Sequence, residues 1–447
     1  MRALRPFLIA ALLMGAAPAL PVAAIAGQFN AESFTLANGL QVVVVPSSRT
    51  PAVTQMVWYK AGSADEPPGK SGIAHFVEHL MFRGSKATPP GAFSRIVAEN
   101  GGRDNAFTTA DYTGYYQTVA ADRLELVMRL EAERMHDLVI TEEQVEPERE
   151  VIIEERRTRI DNVPAALLAE QRDAVFFLNS HYRLPTIGWL HEMRGLTAED
   201  ARRFYETWYA PNNAVVVISG DVTVAKVREL AEKYYGPVPA RAVPAHPVLT
   251  EPPKVASTRL EMTSPRVAAA YWSRNYLAPS YGEQGGRPAD AATVLAELLG
   301  GGESSRLYKS LVLDRKLATS AGADYSGDRS AGTLVIFAEP REGVEVAVLE
   351  AAVTAEIAKF LRDGVTAEEV DRVKRRLQES AIYSRDSLMA PARIIGSSLA
   401  TGRTLAEVEA WPERIGAVTP EELMKLAREV IKDESAVTAI LLPERRS

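Results

Sequence analysis

A helix followed by an apolar strand occurs once in each half of the chain, and this repeat restricts the fold more than any other feature. The first copy begins at Thr197 and ends in the strand 214–219, and the second begins at Thr419 and ends in the strand 436–442. Each threonine suits a helix N-cap, and acidic residues follow it in the first helical turn. The repeat therefore predicts one domain that has been duplicated.

The other secondary-structure patterns fit two domains of the same kind. Strand patterns occur in both halves, at 34–45, 52–61, 266–275 and 332–338. Helical patterns follow in the second half, at 344–362 and 367–383. Together they predict an α+β fold with two homologous domains, each a mostly antiparallel sheet with helices packed on one face.

The first 26 residues are typical of a secretory signal peptide. Arg2 and Arg5 precede an apolar stretch at 7–17, which is too short to span a bilayer, and small residues follow at 24–26. We therefore expect an exported protein, periplasmic in a Gram-negative source and otherwise secreted, that begins near Gly27. An uncleaved anchor is the alternative, and no later segment reaches the length of a membrane span.

The length and composition of the remaining chain indicate its domain organisation. It is too long for one ordinary core, and a proline-rich segment at 236–257 separates the expected domains 27–235 and 258–447. The absence of cysteine excludes disulfides. The formal charge of −7 and the lack of a basic stripe argue against a nucleic-acid partner.

Two histidines and a glutamate occur close together in a mostly apolar helical pattern. His75 and His79 are four residues apart and share one helix face. Two imidazoles at this spacing can bind one zinc ion, which lowers the pKa of its bound water to about 7. Glu78 lies close to that face and can accept the proton of the water without being a ligand. We therefore expect one zinc ion per chain, with Glu78 as the catalytic base.

A third protein ligand is expected from the acidic stretch 142–155. Glu148 and Glu155 are seven residues apart, which places them on one face of a helix. Val151 and Ile152 lie beside them and suggest that this face points inward. The residue pattern favours Glu148 or Glu155 as the ligand and does not decide between them.

With these motifs, the sequence resembles the pitrilysin-like family of zinc metallopeptidases, the inverzincins, and especially the bacterial relatives of the mitochondrial processing peptidase. The family combines His-x-x-Glu-His with a later segment like Glu-Arg-x-Val-Ile-x-x-Glu, and this chain has both, at 75–79 and 148–155. The resemblance extends over nearly the whole mature chain. It implies that Glu155 is the third ligand, that Glu148 orients a zinc-bound histidine, and that the two domains form a clamshell.

The resemblance also implies a site for the substrate. Family members bind a peptide along an exposed sheet edge, which corresponds here to Asn105, Ala106 and Phe107. The loop signal at 100–103 suits a strand that begins at such an edge. Because edge pairing holds the peptide by its backbone, it implies modest sequence preference. An ordinary strand is the alternative.

One part of the family's site has no match in this chain. Active relatives have an Arg and a Tyr seven residues apart that stabilise the oxyanion, where this chain has Val312 and Thr319. Losing an oxyanion donor typically lowers the rate by about 10²–10³. We therefore expect the zinc-bearing subunit of a heterodimer whose homologous partner carries the Arg/Tyr pair. Arg306, Arg315 or Tyr325 could instead fill the gap.

The predicted function is zinc-dependent hydrolysis of peptides or unfolded segments by an endopeptidase or oligopeptidase. The alternatives are a non-catalytic scaffold subunit and a peptide-binding chaperone with the same fold. A scaffold has no need to keep all of His75, Glu78, His79 and Glu155, which favours the enzyme. Surface or packing roles are expected for the other histidines, which are His136, His181, His191 and His246.

Overall fold

A computed structural model describes residues 27–247, 249–282 and 284–444, so the predicted signal segment lies outside the described residues. The strands of the first sheet are β1 (Glu32–Thr35), β2 (Gln41–Pro46), β3 (Ala52–Tyr59), β4 (Arg103–Thr108), β5 (Thr113–Ala120) and β6 (Ala214–Gly220). The strands of the second sheet are β7 (Thr258–Ser264), β8 (Tyr271–Ala278), β9 (Ala318–Gly327), β10 (Gly332–Pro340) and β11 (Val437–Pro443).

Helices connect these strands. Those of the first half are α1 (Ile73–Leu80), α2 (Ala92–Glu99), α3 (Leu124–Asp137), α4 (Glu142–Arg156), α5 (Pro164–Phe176), α6 (Leu190–Met193), α7 (Ala198–Trp208) and α8 (Val224–Tyr234). Those of the second half are α9 (Arg287–Gly300), α10 (Val346–Asp363), α11 (Ala367–Ser384), α12 (Ala390–Ala400), α13 (Leu405–Glu409), α14 (Trp411–Gly416) and α15 (Pro420–Val430). In the described part of the chain, none of the helices combines the length and apolar character needed to cross a membrane.

The two sheets share the same order and connection of five strands, and the first sheet has β1 as an additional edge strand. The first has the order β1-β2-β6-β3-β5-β4 and the second has the order β7-β11-β8-β10-β9. In each sheet one pair of neighbours is parallel, β2 with β6 or β7 with β11, and the other pairs are antiparallel. The repeated helices α7 and α15 begin at Thr197 and Thr419, each of which forms a capping box. These features confirm the predicted α+β fold with two homologous domains.

Each sheet has helices of its own half on one face and a helix of the opposite half on the other. Helix α12 of the second domain covers the first sheet, where Trp58 and Val217 share a buried cluster with Ile395 and Leu399. Helix α5 of the first domain lies reciprocally on β7 and β11, where Leu168 is buried. The two domains therefore exchange helices across their boundary.

The sequence of the central strands explains this exchange. Strand β2 is apolar at the consecutive positions Val42 to Val45, and β6 is apolar from Ala214 to Ile218. A strand with apolar residues on both sides needs cover on both faces of its sheet. All of these residues are buried. Helix α12 therefore buries the second face of the first sheet, which becomes a central layer with helices on both sides.

One strand boundary differs from the sequence pattern. The predicted strand 266–275 is wrong at its start, because β7 ends at Ser264 and β8 begins only at Tyr271. Pro265 has no N–H to donate to a sheet ladder, and the chain turns there, with Val267 N donating to Ser264 O at 3.2 Å. The described residues between Tyr235 and β7 form neither helix nor strand, as the proline-rich composition suggested. The residue bounds of the domains stay a prediction.

Candidate metal centre

The N-terminus of helix α1 is fixed by a buried carboxyl group. Glu66 accepts hydrogen bonds from the backbone N–H groups of Gly72 and Ala74, both at 3.0 Å. Gly72 has φ 87°, and a Cβ atom there would lie 2.5 Å from the carbonyl oxygen of Ile187. Burial raises the pKa of Glu66 well above its ordinary value, although these two N–H groups oppose the shift. The motif helix therefore begins at Ile73 in a defined position and orientation.

Helix α1 packs against α4 and brings three side chains together. Glu155 Oε2 lies 3.2 Å from His79 Nε2 and 3.7 Å from His75 Nε2. One ligand atom of each residue lies within 4.8 Å of the others. A tetrahedral zinc site with bonds of about 2.0–2.2 Å needs its ligand atoms roughly 3.3 Å apart, so this arrangement fits zinc. A zinc ion held by these three residues would keep a fourth coordination position for water.

Glu148 contacts the side of His79 that faces away from this cluster. Its Oε1 lies 2.7 Å from His79 Nδ1, and its Oε2 forms an ion pair with Arg83. A proton on Nδ1 that is donated to Glu148 leaves the lone pair of Nε2 free for a metal. The structure therefore gives Glu148 and Glu155 different positions, a distinction that the residue pattern left open.

The sequence pattern predicts that the α4 face with Val151 and Ile152 points inward, and the structure agrees for only one of these two residues. Ile152 is fully buried, as expected, but Val151 is 45% exposed. On the helix, Val151 and Ile152 flank Glu148 at about 60° on one side and about 40° on the other, and only the side of Ile152 is covered by packing. The sequence pattern does not indicate a role for Arg83, because it lies in the turn after α1, which ends at Leu80.

The two histidines have opposite electrostatic environments. Burial lowers the pKa of His75 to about 4, and the charge of His79 adds to this effect. Burial also disfavours a charged His79, but hydrogen bonds to Glu148 and Glu155 outweigh it and raise the pKa of His79 to about 9. Without a metal, His79 is therefore protonated at neutral pH. A metal ligand must be a neutral imidazole. Zinc binding therefore has to displace the proton on Nε2, while the proton on Nδ1 stays with the hydrogen bond to Glu148.

Glu78 lies beside the cluster without joining it. Its side chain is buried, and Thr108 Oγ at the end of β4 donates a hydrogen bond to Glu78 Oε2. Burial raises the pKa of Glu78, while the hydrogen bond from Thr108 opposes the shift. A carboxylate with a raised pKa is suited to accept and later return a proton. The role of Thr108 was missed, since no local pattern shows that β4 ends beside α1.

The cluster opens into a cleft of about 690 Å³ between β4 and α5, and all of its lining residues belong to the first domain. Asn105, Ala106 and Phe107 line it. Within the described residues β4 pairs only with β5, so its outer backbone edge has no strand partner. Ala106 packs against the first core, and the Phe107 ring lies 5.3 Å from the ring of Trp58. Their side chains thus support the strand, and the residues of this unpaired edge strand line the cleft.

None of the candidates for the missing Arg/Tyr pair lines this cleft. Val312 is buried in the second core, and Thr319 lies near the start of β9. Arg306 pairs with both carboxylate oxygens of a glutamate on α11. The Tyr325 hydroxyl donates to a backbone carbonyl 2.5 Å away, and Arg315 is exposed on the second domain. The described first-domain cleft therefore lacks these oxyanion donors.

The remaining histidines have other contacts. His181 Nδ1 lies 2.7 Å from Ala64 O, and His246 Nδ1 lies 2.8 Å from Asp65 Oδ1. His191 is largely exposed. Across the described ranges, His75, His79 and Glu155 form the one group of acidic, histidine or cysteine residues that converges closely enough for a metal.

Replacing Glu148 by glutamine is expected to lower zinc affinity by about 10–100-fold, because the charge that orients His79 and pairs with Arg83 is lost. Competition with a chromogenic chelator measures the affinity. Glu154→Gln on the same helix is the matched control, since Glu154 is exposed and pairs with Arg157. Equal affinities of the two variants would contradict a role of Glu148 in metal binding.

Comparison with known proteins agrees with these features. A family model described as insulinase, peptidase family M16, matches residues 41–188, and one described as peptidase M16 inactive domain matches residues 195–377. Zinc protease PqqE of Helicobacter pylori is 30% identical over 416 residues, which cover 92% of this chain and 93% of that protein. The probable mitochondrial-processing peptidase subunit beta of Arabidopsis thaliana is 24% identical over 91% of this chain and 77% of its own length.

Solved structures show the same fold. A protease from Helicobacter pylori superposes with a TM-score of 0.85 at 30% identity and covers 92% of this chain and 99% of its own. The periplasmic protease PqqL of Escherichia coli has a TM-score of 0.81 at 22% identity and covers 94% of this chain, which spans only 48% of that longer protein. The matched family models, the similarity to PqqE along almost its whole length and the shared fold together show that this chain belongs to peptidase family M16, as the sequence motifs implied.

Proposed function

We propose that this protein is a zinc-dependent endopeptidase or oligopeptidase that hydrolyses peptides or unfolded segments. The observation that carries the proposal is the convergence of His75, His79 and Glu155 beside the buried carboxyl group of Glu78. The naming of its relatives as zinc proteases supports zinc as the metal. A peptide paired with the free edge of β4 would pass directly beside these residues.

The side chains around the centre suit the steps of peptide hydrolysis. When bound by His75, His79 and Glu155, zinc supplies a Lewis acid and lowers the pKa of a bound water. Glu78 accepts the proton of the attacking water and returns it to the leaving amine. Thr108 holds one oxygen of Glu78, so that the other can face the water. The backbone of β4 aligns the substrate, because strand pairing fixes the position of its carbonyl groups.

We further propose a homologous partner subunit that carries the Arg/Tyr pair and faces this cleft. Only first-domain residues line the cleft, and Val312 and Thr319 lie elsewhere in the second domain. This chain matches about half of the longer protease PqqL, which leaves room in that protein for a second unit of similar size. A second two-domain unit would supply the missing oxyanion donors and enclose the substrate.

We also propose that the protein is exported. The charged and apolar pattern of the first 26 residues supports this location. One protein of the same fold, PqqL, is a periplasmic protease. Export would place the metal centre in a compartment where peptides and unfolded segments are accessible substrates.

The test is peptide turnover by the purified chain, together with its zinc content. We expect about one zinc ion per chain, slow cleavage of an unstructured fluorogenic peptide, and no cleavage after zinc is removed with a chelator. Adding the homologous partner is expected to raise the rate by about 10²–10³, the typical contribution of an oxyanion donor. A zinc-free protein would contradict the peptidase proposal, whereas full turnover without a partner would contradict only the heterodimer.

A further inference from the structure

Arg159 is the one lysine or arginine among the described residues that line the cleft. It lies in a π-helical turn, Arg157–Asp161, that directly continues α4 beyond Glu155. Its Nη1 atom is 2.6 Å from Glu155 Oε1, and its side chain is 72% exposed. A π-helical turn is rare and is frequently found at functional sites. The guanidinium therefore lies at the cleft surface, directly beside the candidate metal centre.

Among the ion pairs of the cleft, that of Arg159 differs because its partner is a candidate metal ligand. The other acidic groups of the α5 wall have their own cations, since Glu170 pairs with Arg156 at 2.8 Å and Asp173 pairs with Arg172 at 2.7 Å. Arg159 instead pairs with Glu155, whose second oxygen faces the two histidines. A divalent cation at that oxygen would withdraw much of the carboxylate's negative charge. The positive charge of Arg159 would then be incompletely compensated.

We propose that Arg159 binds a carboxylate of the substrate next to the scissile bond, so that peptides with Asp or Glu at that position are preferred. The inference rests on the proposed peptidase function and names a substrate class for the same site. A guanidinium binds a carboxylate through two parallel hydrogen bonds, which gives both attraction and geometric selectivity.

The shape of the cleft is compatible with this contact. Successive side chains of a peptide paired with β4 would point alternately to the two faces of the sheet, so that every second one can approach the α5 wall. The α5 wall includes Ala166 and Ala169 and packs against the turn that carries Arg159, and these small side chains leave room for a substrate side chain. A glutamate or aspartate that points there meets the guanidinium, whereas a lysine or arginine meets a like charge.

The experiment compares the full chain on peptide pairs that differ only by Glu or Gln at each position flanking the cleavage site. At one position the wild-type protein is expected to prefer Glu by about fivefold in kcat/KM, as for a partly exposed ion pair. Arg159→Ala is expected to abolish the preference, and Arg159→Lys to retain part of it. Arg157→Ala is the matched control, because Arg157 lies in the same turn but pairs with the exposed Glu154.

Two further measurements do not depend on turnover. Anisotropy of the labelled Glu and Gln peptides on the zinc-loaded Glu78→Gln variant should show the same preference, which Arg159→Ala should remove. Zinc affinity, measured with a chelator, should be similar for Arg159→Ala and wild type. Arg159→Ala could instead weaken zinc binding and lower the cleavage rates of the Glu and Gln peptides equally. In that case Arg159 only positions Glu155, and the proposal is overturned.

The two proposals can fail separately. Equal rates for all Glu and Gln pairs, with normal hydrolysis, overturn the role of Arg159 and leave the peptidase intact. A binding preference without any hydrolysis by the zinc-loaded wild type supports the carboxylate site and overturns the peptidase.

Discussion

Replacing Glu78 by glutamine is expected to lower kcat/KM for peptide hydrolysis by about 10²–10⁴-fold, the range for loss of a general acid–base group. The amide has nearly the shape of the carboxyl group but cannot accept a proton from the attacking water. Since Glu78 is not one of the three converging ligand residues, bound zinc should stay at about one ion per chain. Steady-state cleavage of a fluorogenic peptide and metal analysis of the same sample measure the two effects.

The matched control is Glu150→Gln, an exposed glutamate on α4, which should leave the rate unchanged. Retained turnover in Glu78→Gln would mean that another group accepts the proton. A chaperone that uses the same sheet edge would bind peptides equally well with either residue and would hydrolyse them with neither. Binding and hydrolysis measured together therefore separate the enzyme from that alternative.

The sequence was sufficient for the helical part of the centre because the relevant information is local. His75 and His79 are four residues apart in an apolar pattern, and α-helical geometry alone places them on one face. Glu148 and Glu155 also share a face, so helical geometry could not say which of them approaches the histidines. That distinction depends on how α4 crosses α1, and only the family resemblance suggested the answer.

The packing between distant segments could not be predicted from the sequence either, because it does not depend on local residue patterns. Local residue patterns do not indicate that α12 lies on the sheet of the other domain. The apolar run Val42 to Val45 was the available signal, since it requires cover on both faces of the sheet. The contact of Thr108 with Glu78 likewise follows from the end of an edge strand meeting a distant helix.

Replacing Trp58 by alanine is expected to lower the free energy of unfolding by about 3–5 kcal/mol, as for other fully buried tryptophans. The indole lies between β3 and helix α12 of the second domain. It fits there because residue 396 is glycine, where a Cβ atom would lie 2.0 Å from the indole Nε1. Alanine leaves a cavity in the layer that joins the two domains. Urea unfolding followed by circular dichroism measures the change.

Tyr383→Ala, which removes an aromatic ring that is 74% exposed, is the control and should change stability by less than about 0.5 kcal/mol. An equally small effect of Trp58→Ala would contradict the exchanged-helix packing. The substitution should also weaken peptide binding, because the Phe107 ring of β4 meets the edge of the indole at 5.3 Å. The second domain supplies no residue to the candidate metal cluster. Helix α12 of the second domain instead packs against Trp58, and Trp58 contacts Phe107 of β4. The second domain therefore stabilises the strand along which a peptide would align.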